Sequence, residues 1–145
     1  RYVLTDYTYV KVDLVRGKDV WRLTSASKTN KLESIRTNRA AFEVMVKLSN
    51  LLYKLLRGED ANELLFDDFV RGLLILESKN IKQDIDSIEI VMALRILNNL
   101  GYIGDQATLR DLVNSPFHEE LVYGMSEKRL HAIRAINQAL RETQL

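Results

Sequence analysis

The period of the hydrophobic pattern changes once along this chain, and that change limits the folds that the chain can adopt. From Tyr7 to Leu14 the residues alternate strictly between two sets, which is typical of a β-strand with one buried face. From about residue 38 onward, apolar residues recur every three to four positions, as they do on amphipathic helices. We therefore predict an α+β fold class, in which a short β-segment precedes an all-α domain.

The β-segment is predicted to be a hairpin. Its turn is expected at residues 16–19, because Gly17 can adopt left-handed backbone angles without a steric cost. The return strand spans residues 20–24 and is expected to expose Arg22. The side chains expected to face a core are those of Val10, Val12, Leu14, Trp21 and Leu23.

This hairpin is expected to have further strand partners, because two strands alone are only marginally stable in water. No later segment of the sequence has a strong strand pattern. We therefore expect the missing strands to precede Arg1, so that the chain is an N-terminally truncated part of a longer protein.

Six helices are predicted after the hairpin. Asn38 and Asn62 suit helix starts, because an Asn side chain accepts a hydrogen bond from the first turn, and Gly101 suits a helix end. On the last helix, Leu130 and Ile133 are among the side chains expected to face inward. The predicted ranges are about 39–57, 62–78, 86–100, 106–113, 115–122 and 127–143.

Positive charge is concentrated at the front of the chain. Residues 1–39 contain nine Lys or Arg and four Asp or Glu, a net of +5, whereas residues 40–145 contain twelve and sixteen, a net of −4. This separation suggests a front segment that binds a polyanion. The alternative is chance variation in a small sample.

The hairpin supplies the candidate DNA-binding residues. Tyr7 and Tyr9 share the alternation of Lys11 and are expected to stack on the bases of a single strand. Alternatively, this tyrosine face packs on the helical domain. Trp21 could serve as a stacking platform for bases. Its position on the same strand face as Leu23 favours the alternative, that it is a core residue. The cations expected to contact phosphates are Lys11, Arg16, Lys18 and Arg22.

The sequence carries no recognised catalytic or cofactor-binding pattern. It has no Cys, only two His, no Gly-flanked serine elbow and no phosphate-binding glycine loop. We therefore predict neither an enzyme nor a bound metal or cofactor. Acidic pairs at residues 59–60 and 67–68 leave a metal-dependent nuclease as a minor alternative. Without a secretory signal or a long apolar run, a cytosolic location and no membrane contact are expected.

Three segments in order resemble RecO, the bacterial recombination-mediator family of the RecF DNA-repair pathway. The segment "LTDYTYVKVDLVRGKDVWRLTSAS" is similar to the closing strands of its N-terminal oligonucleotide-binding (OB) fold. The segments "LLRGEDANELLFDDFVRGLLIL" and "EIVMALRILNNLGYIGD" are similar to parts of its helical domain, the second ending in a Leu-Gly-Tyr step. The resemblance implies a truncated OB fold at residues 1–30 and a helical RecO C-terminal domain at 31–145.

The resemblance also implies a function without catalysis. Members bind single- and double-stranded DNA, anneal complementary strands and, with RecR, help RecA replace the single-stranded DNA-binding protein (SSB). Many members carry a four-cysteine zinc module after the Leu-Gly-Tyr helix, and this chain has no Cys for one. By charge alone, Lys128, Arg129 and Arg134 are candidates for binding a partner such as the SSB tail. The alternative function is a helical protein-interaction or regulatory module that does not bind DNA.

Overall fold

An antiparallel hairpin and six α-helices follow one another along residues 4–145, the part of the chain that the computed structural model describes. The α+β class is therefore confirmed. Short 3-10 turns at Glu33–Thr37 and Ala107–Leu109 precede the first and fourth α-helices. The strands are β1 (Val10–Arg16) and β2 (Trp21–Lys28), and the helices are α1 (Arg39–Leu55), α2 (Glu63–Glu77), α3 (Lys82–Asn99), α4 (Arg110–Asn114), α5 (Glu119–Tyr123) and α6 (Arg129–Glu142).

The third helix is the centre of the helical domain. It contacts α1, α2, α4, α5 and α6, so it is covered on almost every side. A helix enclosed in this way needs apolar residues around its whole circumference, unlike the one-sided surface helices. Its buried apolar residues are Ile85, Ile88, Val91, Met92, Leu94, Ile96 and Leu97. Within the described residues, no helix is both long enough and apolar enough to cross a membrane.

The inward face of α6 agrees with the prediction only in part, since Ile136 and Leu140 pack against the core but Leu130 does not. Leu130 was expected to face inward, but 56% of it is exposed. The buried residues of this helix are instead Ala132, Ala135 and Ala139, spaced as one helical face. Because the distance between packed helices depends on the side chains at the contact, alanines let α6 lie close to α3.

Two of the predicted helix starts are confirmed, and a third is wrong. The side-chain oxygens of Asn38 and Asn62 accept hydrogen bonds from the backbone of α1 and α2, at 3.2 and 3.0 Å. The third helix begins at Lys82, about one turn before the predicted start at residue 86, so Asp86 lies inside α3. There its carboxylate accepts a hydrogen bond of 2.6 Å from Lys82.

Gly101 and Gly17 each follow the end of a secondary-structure element, but their backbone conformations differ. Gly101 has a φ of 82° and follows α3, where the amide of Tyr102 donates to the carbonyl of Leu97 at 2.8 Å. This is the predicted helix end. Gly17 was expected to be left-handed, but it is not among the residues with positive φ. It is constrained by space instead: its amide donates to the carbonyl of Val20 at 2.8 Å, and an added Cβ would lie 3.0 Å from that oxygen.

Candidate nucleic-acid interface

The hairpin has two chemically different faces because one strand contains a bulge. Leu14 pairs with Leu23 and Arg16 with Trp21, whereas Asp13 pairs with Ser25, which leaves Thr24 as the extra residue on β2. Side chains alternate along a strand, so an extra residue moves everything beyond it to the other face. The bulge therefore places Trp21 and Leu23 on the face that carries Val12 and Leu14.

We call this set, Val12, Leu14, Trp21 and Leu23, the apolar face of the hairpin. Their exposed fractions are 39, 51, 46 and 47%, so the prediction that they face a core is wrong for the described residues. Alternation specifies which side chains share a face, and in that respect the prediction is confirmed. It does not specify what covers the face, and within residues 4–145 no other element packs on it.

The opposite face of the hairpin, which we call the polar face, is mostly polar, although the exposed Val15 lies on it beside Arg22. Lys11 and Arg22 lie on it at positions roughly 13 Å apart along the strand, at ~3.3 Å per residue. Asp13 lies between them, and the hydroxyl of Ser25 donates a hydrogen bond to its carboxylate. Two cations and one carboxylate therefore give this face a net charge of +1.

The four predicted phosphate-binding cations are all exposed, and they are distributed around the hairpin. Lys11 and Arg22 lie on the polar face and Lys18 lies in the turn, while the Arg16 guanidinium lies 5.6 Å from the Trp21 ring centroid. None of the four takes part in an ion pair within residues 4–145. The positive charge of the hairpin is therefore available to an external polyanion.

The predicted open face of tyrosines beside Lys11 is wrong. Tyr7 precedes β1 and has a left-handed φ of 59°, so the alternation does not extend back to it. Its ring packs edge-on against Phe42 of α1, with centroids 5.9 Å apart. The ring of Tyr9 packs on Phe66 of α2 at 6.4 Å. The alternative reading, in which the tyrosines pack on the helical domain, is confirmed.

A junction of side chains and backbone attaches the hairpin to the helices. The guanidinium of Arg36 donates to the carbonyls of Asp6 and, at 3.4 Å, Tyr7, and it also lies 5.0 Å from the ring centroid of Phe42. The ammonium of Lys31 lies 5.3 Å from the ring centroid of Tyr9. Arg36 belongs to no sequence motif, and its partners are some 30 residues away, which is why the sequence did not point to it.

An apolar cavity of about 290 Å³ lies at this junction. It opens between the segment before β1 and the first two helices, so both parts of the chain contribute to its wall. Its lining includes Tyr7, Tyr9, Met45, Phe66 and Phe69.

The three cations proposed for partner binding do not form a cluster. Lys128 precedes α6 and pairs with Asp111 at 3.4 Å, and Arg129 lines a separate cavity beside α3 and α5. Arg134 is exposed five residues further along the helix. At about 100° per residue, these positions point in three different directions. Their role in binding a partner remains a prediction.

Trp21 is a probe for the state of the apolar face, because it is the only tryptophan of the chain. Since 46% of it is exposed, we expect long-wavelength fluorescence that acrylamide quenches efficiently. Emission at short wavelength, with weak quenching at every protein concentration, would contradict the exposed face. A blue shift that appears only on concentration would instead report self-association.

The comparisons with known proteins identify no relative. No protein-family model, curated protein or solved structure matches the chain.

Proposed function

We propose that this protein binds nucleic acid through the hairpin and acts without catalysis, as a recombination mediator of the RecO type. The observation that carries the proposal is the set of four exposed hairpin cations that have no ion-pair partner within residues 4–145. Each phosphate that such a cation neutralises releases counterions, which favours binding at low salt.

The proposed contact is with the backbone and is independent of base sequence. Phosphate contacts position a nucleic acid, whereas base contacts specify its sequence. The polar face offers Lys11, Arg22 and serine hydroxyls but no aromatic ring, since Tyr7 and Tyr9 are engaged with the helices. A contact of this kind suits annealing, in which any complementary pair of strands must be accepted.

We further propose that the hairpin belongs to an OB-type barrel, with its apolar face directed to the barrel interior. This proposal is supported by the two faces of the hairpin, one largely apolar and one largely polar, because barrel strands have the same arrangement. In this proposal the barrel holds single- and double-stranded DNA in the cytoplasm. The helical domain binds RecR and the SSB tail, and RecA is loaded indirectly.

Neutralising three of the hairpin cations tests DNA binding. The triple change Lys11→Gln, Lys18→Gln and Arg22→Gln is expected to weaken binding of single-stranded DNA at least about tenfold at low salt. Three lost phosphate contacts should also make the slope of log K against log salt shallower by about 2. Fluorescence anisotropy across a salt series measures both quantities.

A matched control removes the same charge elsewhere. Arg71, Arg134 and Arg141 are exposed and outside the ion pairs of the described residues, and their change to Gln also lowers the net charge by three. This control is expected to retain most of the affinity and of the salt slope. If both triple variants lose affinity equally, the hairpin is not the binding site. Mg²⁺-dependent cleavage of the DNA would favour the nuclease alternative.

The second candidate function is a helical protein-interaction module. The apolar cavity at the junction favours it, because a concave apolar site between two elements suits a peptide side chain. In that case Tyr7 and Tyr9 serve only to attach the hairpin to the helical domain. A folded wild-type chain that shows no salt-dependent DNA binding would select this function.

A further inference from the structure

The outer surface of α1 carries Tyr53, which is the most exposed large hydrophobic residue among those that the structure describes. Tyr53 is 87% exposed, although a tyrosine ring on a helix normally covers part of the neighbouring surface. It is followed directly by Lys54 and, beyond the end of the helix, by Arg57; both are exposed and unpaired within residues 4–145. An exposed aromatic ring beside two unpaired cations is the combination that single-stranded nucleic acids bind.

This surface adjoins the base of the hairpin. The hydroxyl of Tyr7 donates to the Oδ1 atom of Asn50 at 3.4 Å, which brings the segment before β1 onto α1. Tyr53 lies three residues beyond Asn50, a rise of about 4.5 Å along the helix. Lys54 lies four residues beyond Asn50, so both side chains are on the same face of α1 as Asn50. A strand leaving the base of the hairpin therefore meets Asn50 first and the Tyr53 ring next.

The charges around Tyr53, Lys54 and Arg57 limit the area of α1 that can attract phosphate. On one side, Lys47 is already paired with Glu89 at 3.3 Å, and Arg39 is paired with Glu43 at 2.9 Å. On the other side, the exposed carboxylates of residues 59–60 follow Arg57 and repel phosphate. The attractive surface is therefore confined to the last turn of α1 and the residues just beyond it.

We propose that Asn50, Tyr53, Lys54 and Arg57 form a second contact for the nucleic-acid strand that the hairpin binds. A base stacks on the Tyr53 ring, while Lys54 and Arg57 neutralise the adjacent phosphates. This inference rests on the proposed function. It adds that a strand is held at two places, so a longer strand gains a contact that a short one lacks.

The test compares two lengths of single-stranded DNA, of which about 8 nucleotides falls within the usual site size of one OB fold, ~4–16 nucleotides, and about 30 nucleotides exceeds it. Tyr53→Leu is expected to weaken binding of the longer strand about tenfold, because one stacked base is lost, and to leave the shorter strand unchanged. Tyr53→Phe keeps the ring and should bind like the wild type. The double change Lys54→Gln and Arg57→Gln should make the salt slope for the longer strand shallower by about 1.4.

The outcomes separate the two proposals. If the hairpin triple variant weakens both lengths while every Tyr53 variant binds like the wild type, hairpin binding stands and the second contact is overturned. If Tyr53→Phe loses as much affinity as Tyr53→Leu, stacking is overturned. If the wild type binds neither length at low salt, both proposals fall. Because Tyr53 is so exposed, its variants are expected to unfold at the wild-type urea midpoint.

Discussion

Replacing Arg95 with Met is expected to lower the free energy of unfolding by about 3 kcal/mol, since removing the buried member of a partly buried ion pair leaves the other charge and two carbonyls without their donor. Arg95 is 8% exposed in the middle of α3. Its Nε and one terminal nitrogen both bind the carboxylate of Asp68 on α2, each at 2.6 Å. Its other terminal nitrogen donates to the carbonyls of Leu112 and Ser115, at 2.7 and 2.8 Å.

One guanidinium therefore fixes α2 and the α4 segment to the central helix. The ring of Phe117 lies 5.1 Å from the same guanidinium and closes the site on another side. In the Met variant, two carbonyls and a carboxylate lose their donors at once. We expect amide hydrogen exchange to increase most around residues 110–117, where the carbonyls that Arg95 binds are located.

The matched control is the bidentate pair at the surface. Arg110 binds both oxygens of Asp105, and its guanidinium lowers the pKa of that carboxyl below the ordinary value through hydrogen bonding. Arg110→Met removes the same kind of pair in a site fully exposed to water, where such pairs contribute little. Urea unfolding followed by circular dichroism compares the two variants. Equal midpoints for both would contradict the role assigned to Arg95.

Truncating Leu97 to Ala is expected to cost about 2–5 kcal/mol of unfolding free energy. Leu97 has no exposed surface and lies on the helix that all the other long helices contact, so neighbouring groups cannot readily fill the cavity left behind. The urea midpoint should fall while the denaturant slope stays unchanged, because the surface exposed on unfolding is nearly the same.

The control for this change is the same substitution at an exposed site. Leu64 is on the first turn of α2 and 79% exposed, so Leu64→Ala should change the stability by no more than about 0.5 kcal/mol. If the two alanine variants unfold at the same denaturant concentration, α3 is not the centre of the core.

The sequence was informative where an element has one buried face and a polar cap. The first two helices are of this kind, and their ranges and their Asn caps were predicted almost to the residue. Periodicity was a poor guide to α3, which is buried all round, and to α6, which packs through alanines. Alanine adds little to an apolar pattern, so the prediction favoured the more hydrophobic Leu130 over the three buried alanines.

The candidate interface could be predicted in part. The cations of the hairpin and the grouping of Trp21 with Leu23 followed from composition and alternation. The position of Tyr7 could not be predicted, because a left-handed backbone at a non-glycine residue is uncommon and has no sequence pattern. Tyr53 was also missed, since a tyrosine within a helical pattern is normally assigned to packing, and only the fold shows how exposed it is.

The bulge at Thr24 decides which side of the hairpin the indole occupies. Trp21 and Leu23 pair with Arg16 and Leu14, so deleting Thr24 would restore regular pairing and leave both side chains on the apolar face. Regular pairing of Thr24 with Leu14, without a deletion, would instead shift the register by one residue and turn the indole toward the side that carries Lys11. The extra residue is therefore dispensable for the two-faced pattern, whereas the register of Trp21 with Arg16 is not.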